Sequence, residues 1–170
     1  AYIEVDILGR AMGKQDHYAS AYGNLNVFTF TSDELVSVEP VLYKHKAKKH
    51  IESNLMLFYL KMKRNASEIL ESQQRETKNK LVELRKMQSL VDPIREVFSS
   101  GIGFNQFGEA LHEGWGIKRS LTKDVSSKEI DSYYEKAISA GALGGKLLGA
   151  GGGGFLLFYV EEINKKRVMK

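Results

Sequence analysis

The chain has 170 residues and a mass of 19.1 kDa, enough for one globular domain or one domain with part of a neighbour. Hydrophobic residues make up 42% and charged residues 27%, which favours a folded protein over a disordered one. Cysteine is absent, which excludes disulfides, thiolate metal sites and cysteine nucleophiles. The net charge of +4 is too mild to indicate a nucleic-acid partner. Without a visible signal peptide or a membrane-length apolar run, we expect a cytoplasmic protein with no membrane partner.

The first 76 residues favour short helices and strands. Gly9 and Gly23 each follow an amphipathic or apolar stretch and are typical helix ends. Aromatic and β-branched residues then predict a hairpin, and a run that is apolar at every position predicts a central strand. The predicted elements are a helical tail over 1–9, a helix over 16–22, strands over 25–30, 35–39 and 55–60, and a helix over 62–76.

The rest of the chain carries amphipathic helices and one further strand. Asp92 and Pro93 should kink or restart the first of these helices. Ser126 and Glu129 form a capping box that predicts a helix ending near Gly141. The two apolar stripes are Leu84, Met87, Val91, Ile94 and Phe98, and Phe104, Phe107, Leu111 and Trp115. With a strand over 155–160, the order predicts an α+β fold, a mainly antiparallel sheet with helices on one face.

Glycine is concentrated near the C-terminus. Eight of the 16 glycines lie in 141–154, and none lies in 24–100, so we expect a special loop in the later segment. The segment is not a nucleotide P-loop, because Ala140 and Leu147 stand where that motif needs Gly and Ser or Thr. A dinucleotide fingerprint is also excluded, because the run precedes a strand. Two hypotheses remain: a backbone cradle for an anion, or a connector in which backbones cross closely.

A second candidate site lies near the N-terminus. Asp16 follows a glycine-bounded turn and stands two residues after Lys14. A carboxylate in this position could accept the proton of an attacking hydroxyl, while Lys14 offsets the charge of a phosphate. The structural alternative is that Asp16 only caps the short helix.

Three segments together resemble the GHMP kinases, the superfamily that includes galactokinase, homoserine kinase, mevalonate kinase and phosphomevalonate kinase. The glycine-rich residues 141–155 are similar to the third signature of the family, and 13–23 to its catalytic-aspartate segment. Residues 108–120 are similar to the corresponding part of bacterial heptose 7-phosphate kinases. The likeness extends over nearly the whole chain and implies the ferredoxin-like fold of the family's C-terminal domain.

The resemblance implies phosphoryl transfer from ATP, with Mg²⁺, to a sugar hydroxyl, the anomeric one. Asp16 matches the catalytic aspartate, and Glu4, twelve residues earlier, matches the acidic residue that holds Mg²⁺. The family's loop that lies beside the phosphates is matched here by Gly149, Gly151, Gly152, Gly153 and Gly154. Further contacts to anionic groups are expected from Lys14, Lys146 and Arg64.

The same resemblance implies a longer protein. The family's Gly-Leu-Gly-Ser-Ser loop, which wraps the ATP phosphates, is not in this sequence. We therefore expect residues 1–40 to be the remainder of an N-terminal kinase domain and 41–170 to be the C-terminal domain without its last strand. The expected partners are a sugar phosphate, ATP and the missing N-terminal half, and a homodimer is compatible with the sequence.

Two alternatives to a kinase come from other segments. The basic run 44–50 could bind RNA or another polyanion, but a solvated loop is the favoured explanation. The helical stripe over 84–94 could bind a partner protein, but its spacing is more typical of a core. His17 and His112 lack metal-ligand spacing, so neither is expected to bind a metal.

Overall fold

The structure is a computed structural model that describes residues 2–9, 12–62 and 66–170. The chain divides into two compact units, Ala1–Leu42 and Tyr43–Lys170. In the first unit a π-helical turn, Ile3–Ile7, precedes helix α1, Gln15–Tyr22. Strands β1, Asn26–Phe30, and β2, Val36–Pro40, form the antiparallel hairpin expected from their β-branched and aromatic residues.

Aromatic side chains hold this small unit together. The ring of Tyr18 on α1 packs edge-on against Phe28 and Phe30 of β1, with centroids 6.2 and 5.6 Å apart. Tyr22, one turn later, stacks on Tyr18. Because these residues recur at helical and strand spacing, one face of α1 lies over one face of the hairpin.

The second unit contains a three-stranded antiparallel sheet and seven α-helices among the described residues. The strands are β3, Leu55–Leu60, β4, Gly144–Leu147, and β5, Gly154–Tyr159, in the order β3-β5-β4. The helices are α2, His45–Ser53, α3, Ala66–Glu76, α4, Leu81–Ser89, α5, Val91–Ser100, α6, Phe104–Leu121, α7, Lys128–Ser139, and α8, Glu162–Val168. Two 3₁₀ turns, Thr77–Lys80 and Lys123–Val125, join α3 to α4 and α6 to α7.

One face of the sheet carries the core. Leu156 and Phe158 of β5 pair with Phe58 and Met56 of β3, so that all four side chains lie on the same face. This face packs on α6 and α7, and its fully buried members include Trp115, Ile130, Leu147, Leu156 and Phe158. The chain is therefore an α+β protein with antiparallel sheets, as the sequence predicts. No helix in the described ranges is long and apolar enough to cross a membrane.

Three predicted features are wrong in detail. The strand 55–60 was expected at the centre of a sheet, but among the described strands β3 is at an edge and β5 is central. Leu57 and Tyr59 are correspondingly exposed on its outer face. The glycine-rich segment contains strand β4, and the basic run forms helix α2 instead of a loop, because Ala47 and Ile51 are buried along one side.

The helix caps also differ from prediction at one position. The N-cap of α7 is Ser127, whose hydroxyl oxygen accepts a hydrogen bond from the Ile130 amide at 3.3 Å. The predicted cap, Ser126, instead donates to the Asp131 carboxylate at 2.7 Å. Of the kink or restart predicted at Asp92 and Pro93, the structure shows the restart, since α5 begins at Val91.

Candidate functional site

Asp16 lies in the first turn of α1 with its side chain exposed to solvent. The N-cap position belongs to Lys14, and no side chain caps the helix there. The alternative in which Asp16 serves as the helix cap is therefore wrong. Its carboxylate remains favourably placed near the positive end of the helix dipole, where an anion is stabilised.

Glu4 and His17 join the two helical segments of the first unit. The His17 Nε2–H donates to the Glu4 carboxylate at 2.5 Å, and His17 directly follows Asp16 in α1. This contact orients the one carboxylate that the sequence analysis assigned to a metal. The partnership of His17 with Glu4 was not foreseen, since thirteen residues separate them and no spacing rule links such a pair.

Mg²⁺ in kinases is usually held by one or two carboxylates together with substrate phosphates. Among the described residues, no group of three or more His, Asp or Glu side chains is arranged to hold a metal. A single carboxylate oriented by a histidine, as Glu4 is, fits a shared site of this kind. A fully protein-built metal cage does not fit.

Lys14 is the cation nearest in sequence to Asp16. Its ammonium lies 3.9 Å from a carboxylate oxygen of Glu34, in the turn between β1 and β2. Glu34 adopts φ +66°, a left-handed conformation that is uncommon for a residue with a side chain. Because the carboxylate is exposed, this ion pair is weak and leaves Lys14 available to a stronger anion.

The first half of the glycine-rich segment makes a close contact between α6 and β4. A Cβ atom on Gly144 would overlap the carbonyl oxygen of Gly108 and lie 2.9 Å from the His112 Cβ. A Cβ on Gly108 would lie 2.8 Å from the Leu143 Cβ. Helix and strand approach so closely only because both residues lack side chains. For these glycines the close crossing of backbones is the correct interpretation.

The second half forms the loop between β4 and β5. Its backbone is in the left-handed or extended positive-φ region at Gly149, Gly151, Gly152, Gly153 and Gly154. At Gly152 φ is +68°, and its amide donates to the Val125 carbonyl at 2.9 Å. This loop therefore needs glycine for its conformation, which distinguishes it from the packed Gly144.

Two side chains from distant parts of the chain hold the loop from outside. The Lys118 ammonium donates to the Gly149 carbonyl at 2.6 Å. The Gln73 amide donates to the Ala150 carbonyl at 2.8 Å. Sequence reasoning assigned a role to neither residue, because their partners lie 31 and 77 positions away, and the likeness over 108–120 does not indicate what Lys118 contacts.

A partly buried hydrogen-bond network around Tyr134 supports β4 directly before the loop. The Tyr134 hydroxyl accepts from His112 Nδ1 at 2.8 Å and donates to the Gly145 carbonyl at 3.4 Å. Burial raises the pKa of Tyr134 to about 12. The guanidinium of Arg119 lies over the same ring, 5.7 Å from its centroid, and pairs with Asp131 at 3.0 Å.

The remaining predicted cations have different outcomes. Lys146 lies in β4, opposite Leu157 and three residues before the loop, and is half-buried. Arg64 lies outside the described residues, and its role stays a prediction. Glu4, Lys14 and Asp16 belong to the first unit, while Lys146 and the glycine loop belong to the second. That the two groups form one pocket also stays a prediction.

A cavity of about 590 Å³ lies elsewhere in the second unit, between the β3 and β5 strands and the α7 and α8 helices. Its floor is made of core side chains, including Leu60, Leu156 and Phe158. None of the predicted site residues that the structure describes lines it. The glycine loop, which does contain predicted site residues, is therefore the better candidate site.

Helix α2 uses much of its basic charge for internal contacts. The Lys44 ammonium, at its N-cap, donates to the Ser100 carbonyl at 2.6 Å. Lys48 lies 3.8 Å from Glu52, and the His50 ring stacks on Phe104 with centroids 4.0 Å apart. These contacts favour a solvated structural helix over a polyanion-binding surface.

Comparison with known proteins shows which families and structures this chain is similar to. Residues 100–168, which include α6, α7, β4, the loop, β5 and α8, match the family model described as GHMP kinases C terminal. The chain is 30% identical over 175 aligned residues to the D-glycero-alpha-D-manno-heptose 7-phosphate kinase of Campylobacter jejuni. That alignment covers 99% of this chain and 50% of the relative.

Solved structures show the same fold. A D-glycero-D-manno-heptose 1-phosphate kinase from B. thetaiotaomicron matches with a TM-score of 0.55 and 28% identity, over 98% of this chain and 44% of that one. The L. major mevalonate kinase, in complex with R-mevalonate, matches with a TM-score of 0.68 and 18% identity. It covers 91% of this chain and 46% of that chain, and at this identity supports the fold alone.

The chain spans about half the length of the relatives it matches. The matched residues include the Gly108–Gly144 contact, the glycine loop and Lys118, whereas Gln73 and the Asp16 segment lie outside them. Residues 100–168 therefore match the C-terminal domain of the GHMP kinases, and nearly the whole chain is similar to part of a heptose 7-phosphate kinase.

Proposed function

We propose that these residues form the C-terminal part of an ATP-dependent sugar kinase that phosphorylates a hydroxyl, the anomeric one, of heptose 7-phosphate or a related sugar. The relatives named as heptose phosphate kinases align over 98% or more of this chain, and this extent supports the assignment to a sugar substrate. The ATP-binding loop would lie in the half of the kinase that precedes residue 1.

The observation that carries the proposal is the exposed position of Asp16. A carboxylate that caps a helix is already satisfied by backbone amides, whereas Asp16 is exposed inside the first turn of α1. In the proposed reaction it orients the sugar hydroxyl and takes its proton. The hydroxyl oxygen bonds to the γ-phosphorus of ATP as the bond to the β,γ-bridging oxygen breaks, and ADP leaves with that electron pair.

The other residues supply charge and position. Lys14 offsets negative charge on the phosphate carried by the sugar or transferred to it. Glu4, oriented by His17, would hold Mg²⁺ together with the ATP phosphates, and the ion would supply positive charge against them. The loop that begins at Gly149 offers backbone N–H groups, which bind anions without adding a side chain that could compete for space.

The test uses the intact kinase, meaning the full-length gene product proposed to carry these 170 residues. Asp16→Asn should lower kcat by at least about 10²-fold, because the amide cannot accept a proton. Unfolding by urea should change little, since Asp16 makes no cap. Asp92→Asn, at an exposed position in the first turn of α5, is the matched control and should retain parental turnover.

The substrate is tested separately with ATP and a panel of heptose 7-phosphate, heptose 1-phosphate and mevalonate. The proposal expects heptose 7-phosphate to be preferred and the new phosphate to appear on the anomeric oxygen by ³¹P NMR. Turnover of mevalonate without turnover of either sugar phosphate would refute the substrate assignment. Parental turnover in Asp16→Asn would refute the catalytic role.

A further inference from the structure

The short 3₁₀ turn Lys123–Val125 lies against the glycine loop. The Gly152 amide donates to the Val125 carbonyl at 2.9 Å. A Cβ on Gly151 would lie 2.8 Å from the same carbonyl oxygen and 2.9 Å from the Val125 Cα, so the two backbones are in direct contact. Val125 is itself fully buried. The position of this part of the loop therefore depends on the position of the turn.

The turn is too short to hold its position alone. It has three residues, and the residues on both sides of it, Thr122 and Ser126, are extended. The side chain of Thr122, at the N-cap, makes no capping hydrogen bond. Because 3₁₀ hydrogen bonds have poor geometry, a single turn of this kind needs support from neighbouring elements.

Asp131, in the first turn of α7, provides such support. Its Oδ1 atom accepts hydrogen bonds from the Ser126 hydroxyl at 2.7 Å and from the Arg119 guanidinium at 3.0 Å. Ser126 directly follows the turn, and Arg119 lies in the last turn of α6, which precedes it. Hydrogen bonds to an ionised carboxylate belong to the stronger class. One carboxylate thus connects α6, the end of the turn and α7.

Two aromatic rings fix Arg119 as well. Its guanidinium lies 5.9 Å from the ring centroid of Trp115 and 5.7 Å from that of Tyr134. Both rings are buried in the core of the second unit. Because cation–π contacts add to the ion pair with Asp131, Arg119 ties the carboxylate to the core, while Ser126 ties it to the turn.

Asp131 also has a simpler explanation, which is that an acid in the first turn of α7 stabilises the helix dipole. Glu129 lies in the same turn, is exposed, and accepts a hydrogen bond from the Tyr133 hydroxyl. The dipole acts on both carboxylates, but it does not account for the bonds of Asp131 to Ser126 and Arg119. Variants at the two acids therefore separate the two explanations.

We propose that Asp131 is a positioning residue that sets the conformation of the glycine loop through the Lys123–Val125 turn. The carboxylate holds the connection between α6 and α7 from both sides, and the turn passes this constraint to the loop through the bond from Gly152 to Val125. The inference rests on the proposed function, since the loop is taken to be part of the kinase site. Asp131 lies outside the loop, acts through the backbone and is not a catalytic residue.

The positioning role is tested on the full 170-residue chain by amide hydrogen exchange, followed for single residues by NMR. The Gly152 amide reports on the loop, and the amides of β5 that pair with β3 report on the fold. Asp131→Ala should speed exchange of the Gly152 amide by at least about tenfold relative to the β5 amides, given the usual strength of hydrogen bonds to a charged group. A role in general stability alone would speed the β5 amides at least as much as the Gly152 amide.

Ser126→Ala is a milder second variant, because it removes one hydroxyl and leaves the ion pair of Asp131 with Arg119 in place. It should speed exchange of the Gly152 amide by at least about threefold, and Ser126→Thr, which keeps the hydroxyl, should restore the parental rate. Parental Gly152 exchange in both Asp131→Ala and Ser126→Ala would overturn the inference and leave the proposed kinase function standing.

Glu129→Ala is the matched control for Asp131→Ala. It removes a carboxylate from the same turn of α7 and should leave exchange of the Gly152 amide unchanged. Equal acceleration in Glu129→Ala and Asp131→Ala would overturn the inference, because the α7 dipole would then explain the effect.

The consequence for the reaction is tested in the intact kinase with ATP and the sugar phosphate that it turns over. Loss of folded enzyme lowers the maximal rate but leaves KM unchanged, whereas a displaced loop alters substrate binding. Ser126→Ala should therefore raise the KM for ATP or for the sugar phosphate by at least about threefold, and Ser126→Thr should not. Parental KM values for both substrates in Ser126→Ala would overturn the role of Asp131 in the reaction. Turnover of no sugar phosphate by the parent kinase would refute the proposed function, whereas the exchange experiment would still decide whether Asp131 positions the loop.

Discussion

The two halves of the glycine-rich segment use the same residue for different physical reasons. Gly144 has no side chain because the backbone of α6 occupies the space where a Cβ would lie. Gly152 has no side chain because its φ of +68° disfavours one. The first is a packing requirement set by a partner 36 positions earlier, at Gly108, and the second is a conformational requirement of the loop itself.

Within the fourteen residues 141–154, the first half should therefore matter for stability and the second half for function. A packed glycine contributes to the free energy of folding, because its replacement forces two elements apart. A loop glycine mainly determines which way peptide groups point, and so affects ligand binding before it affects folding. Variants in the two halves should therefore fail in different assays.

The largest effect is expected for Gly144→Ala. The new methyl group would overlap the Gly108 carbonyl, which belongs to helix backbone and cannot rotate away. We expect a loss of about 3 kcal/mol or more in the free energy of unfolding, from the strain of overpacking against backbone. Urea denaturation followed by circular dichroism measures it.

Gly116→Ala is the matched control for that variant. Gly116 lies within α6, and a Cβ there would meet nothing within 4 Å. Because glycine is a poor helix former, this change should stabilise the protein by about 0.5–1 kcal/mol. If Gly144→Ala were as stable as Gly116→Ala, the packing explanation would be wrong.

Gly152→Val should show the opposite pattern in the intact kinase. A β-branched residue is strained at this φ, and relieving the strain reorients the neighbouring peptide groups. Turnover should fall by at least about 10²-fold, as expected for displaced binding groups, while stability falls by about 1–2 kcal/mol. Gly152→Asn tests the cause, because asparagine tolerates the left-handed region and should retain more activity. Equal loss in both variants would show that size, not backbone conformation, matters here.

The sequence predicted elements whose pattern is local. The β1–β2 hairpin, strand β3 and helix α6 follow from residue type and period within each segment, and the structure confirms them. Strand β4 was missed because glycine disfavours strands, and Gly144 is tolerated there only by virtue of its fit against α6. The α2 helix was missed because its sequence is mostly charged and polar, and its buried side consists of Ala47 and Ile51, four residues apart.

The residues of the candidate site likewise divide into those that the sequence predicted and those that it did not. Asp16 and the loop glycines were proposed from their local pattern and from motif resemblance, and Glu4 from motif resemblance, which a single sequence can display. Lys118 and Gln73 could not be found, because their relation to the loop exists only after three separate elements have packed. Long-range side-chain contacts to a backbone carbonyl carry no periodic or motif signal in the sequence.

The smallest expected effect concerns the first half of the glycine-rich segment, where the Tyr134 hydroxyl donates to the Gly145 carbonyl. The prediction asks whether this half depends on Tyr134. Burial raises its pKa to about 12, above the ordinary value of 10.0. Its contribution to stability is therefore complete below pH 10 and is lost as pH rises toward 12, because only the unfolded chain ionises easily in that interval.

The measurement is urea denaturation across this pH interval for the parent, Tyr134→Phe and Tyr133→Phe. Tyr134→Phe should be less stable at neutral pH, since it loses both hydrogen bonds, but its stability should decline less steeply above pH 10. The pKa of Tyr133 is also raised, by its hydrogen bond to Glu129, but the side chain is exposed, so Tyr133→Phe should change the slope less than Tyr134→Phe does. Equal slopes in the parent and Tyr134→Phe would mean that the Tyr134 phenol has the same pKa in the folded and unfolded chain. The first half of the glycine-rich segment would then depend for its stability on the glycine contact alone.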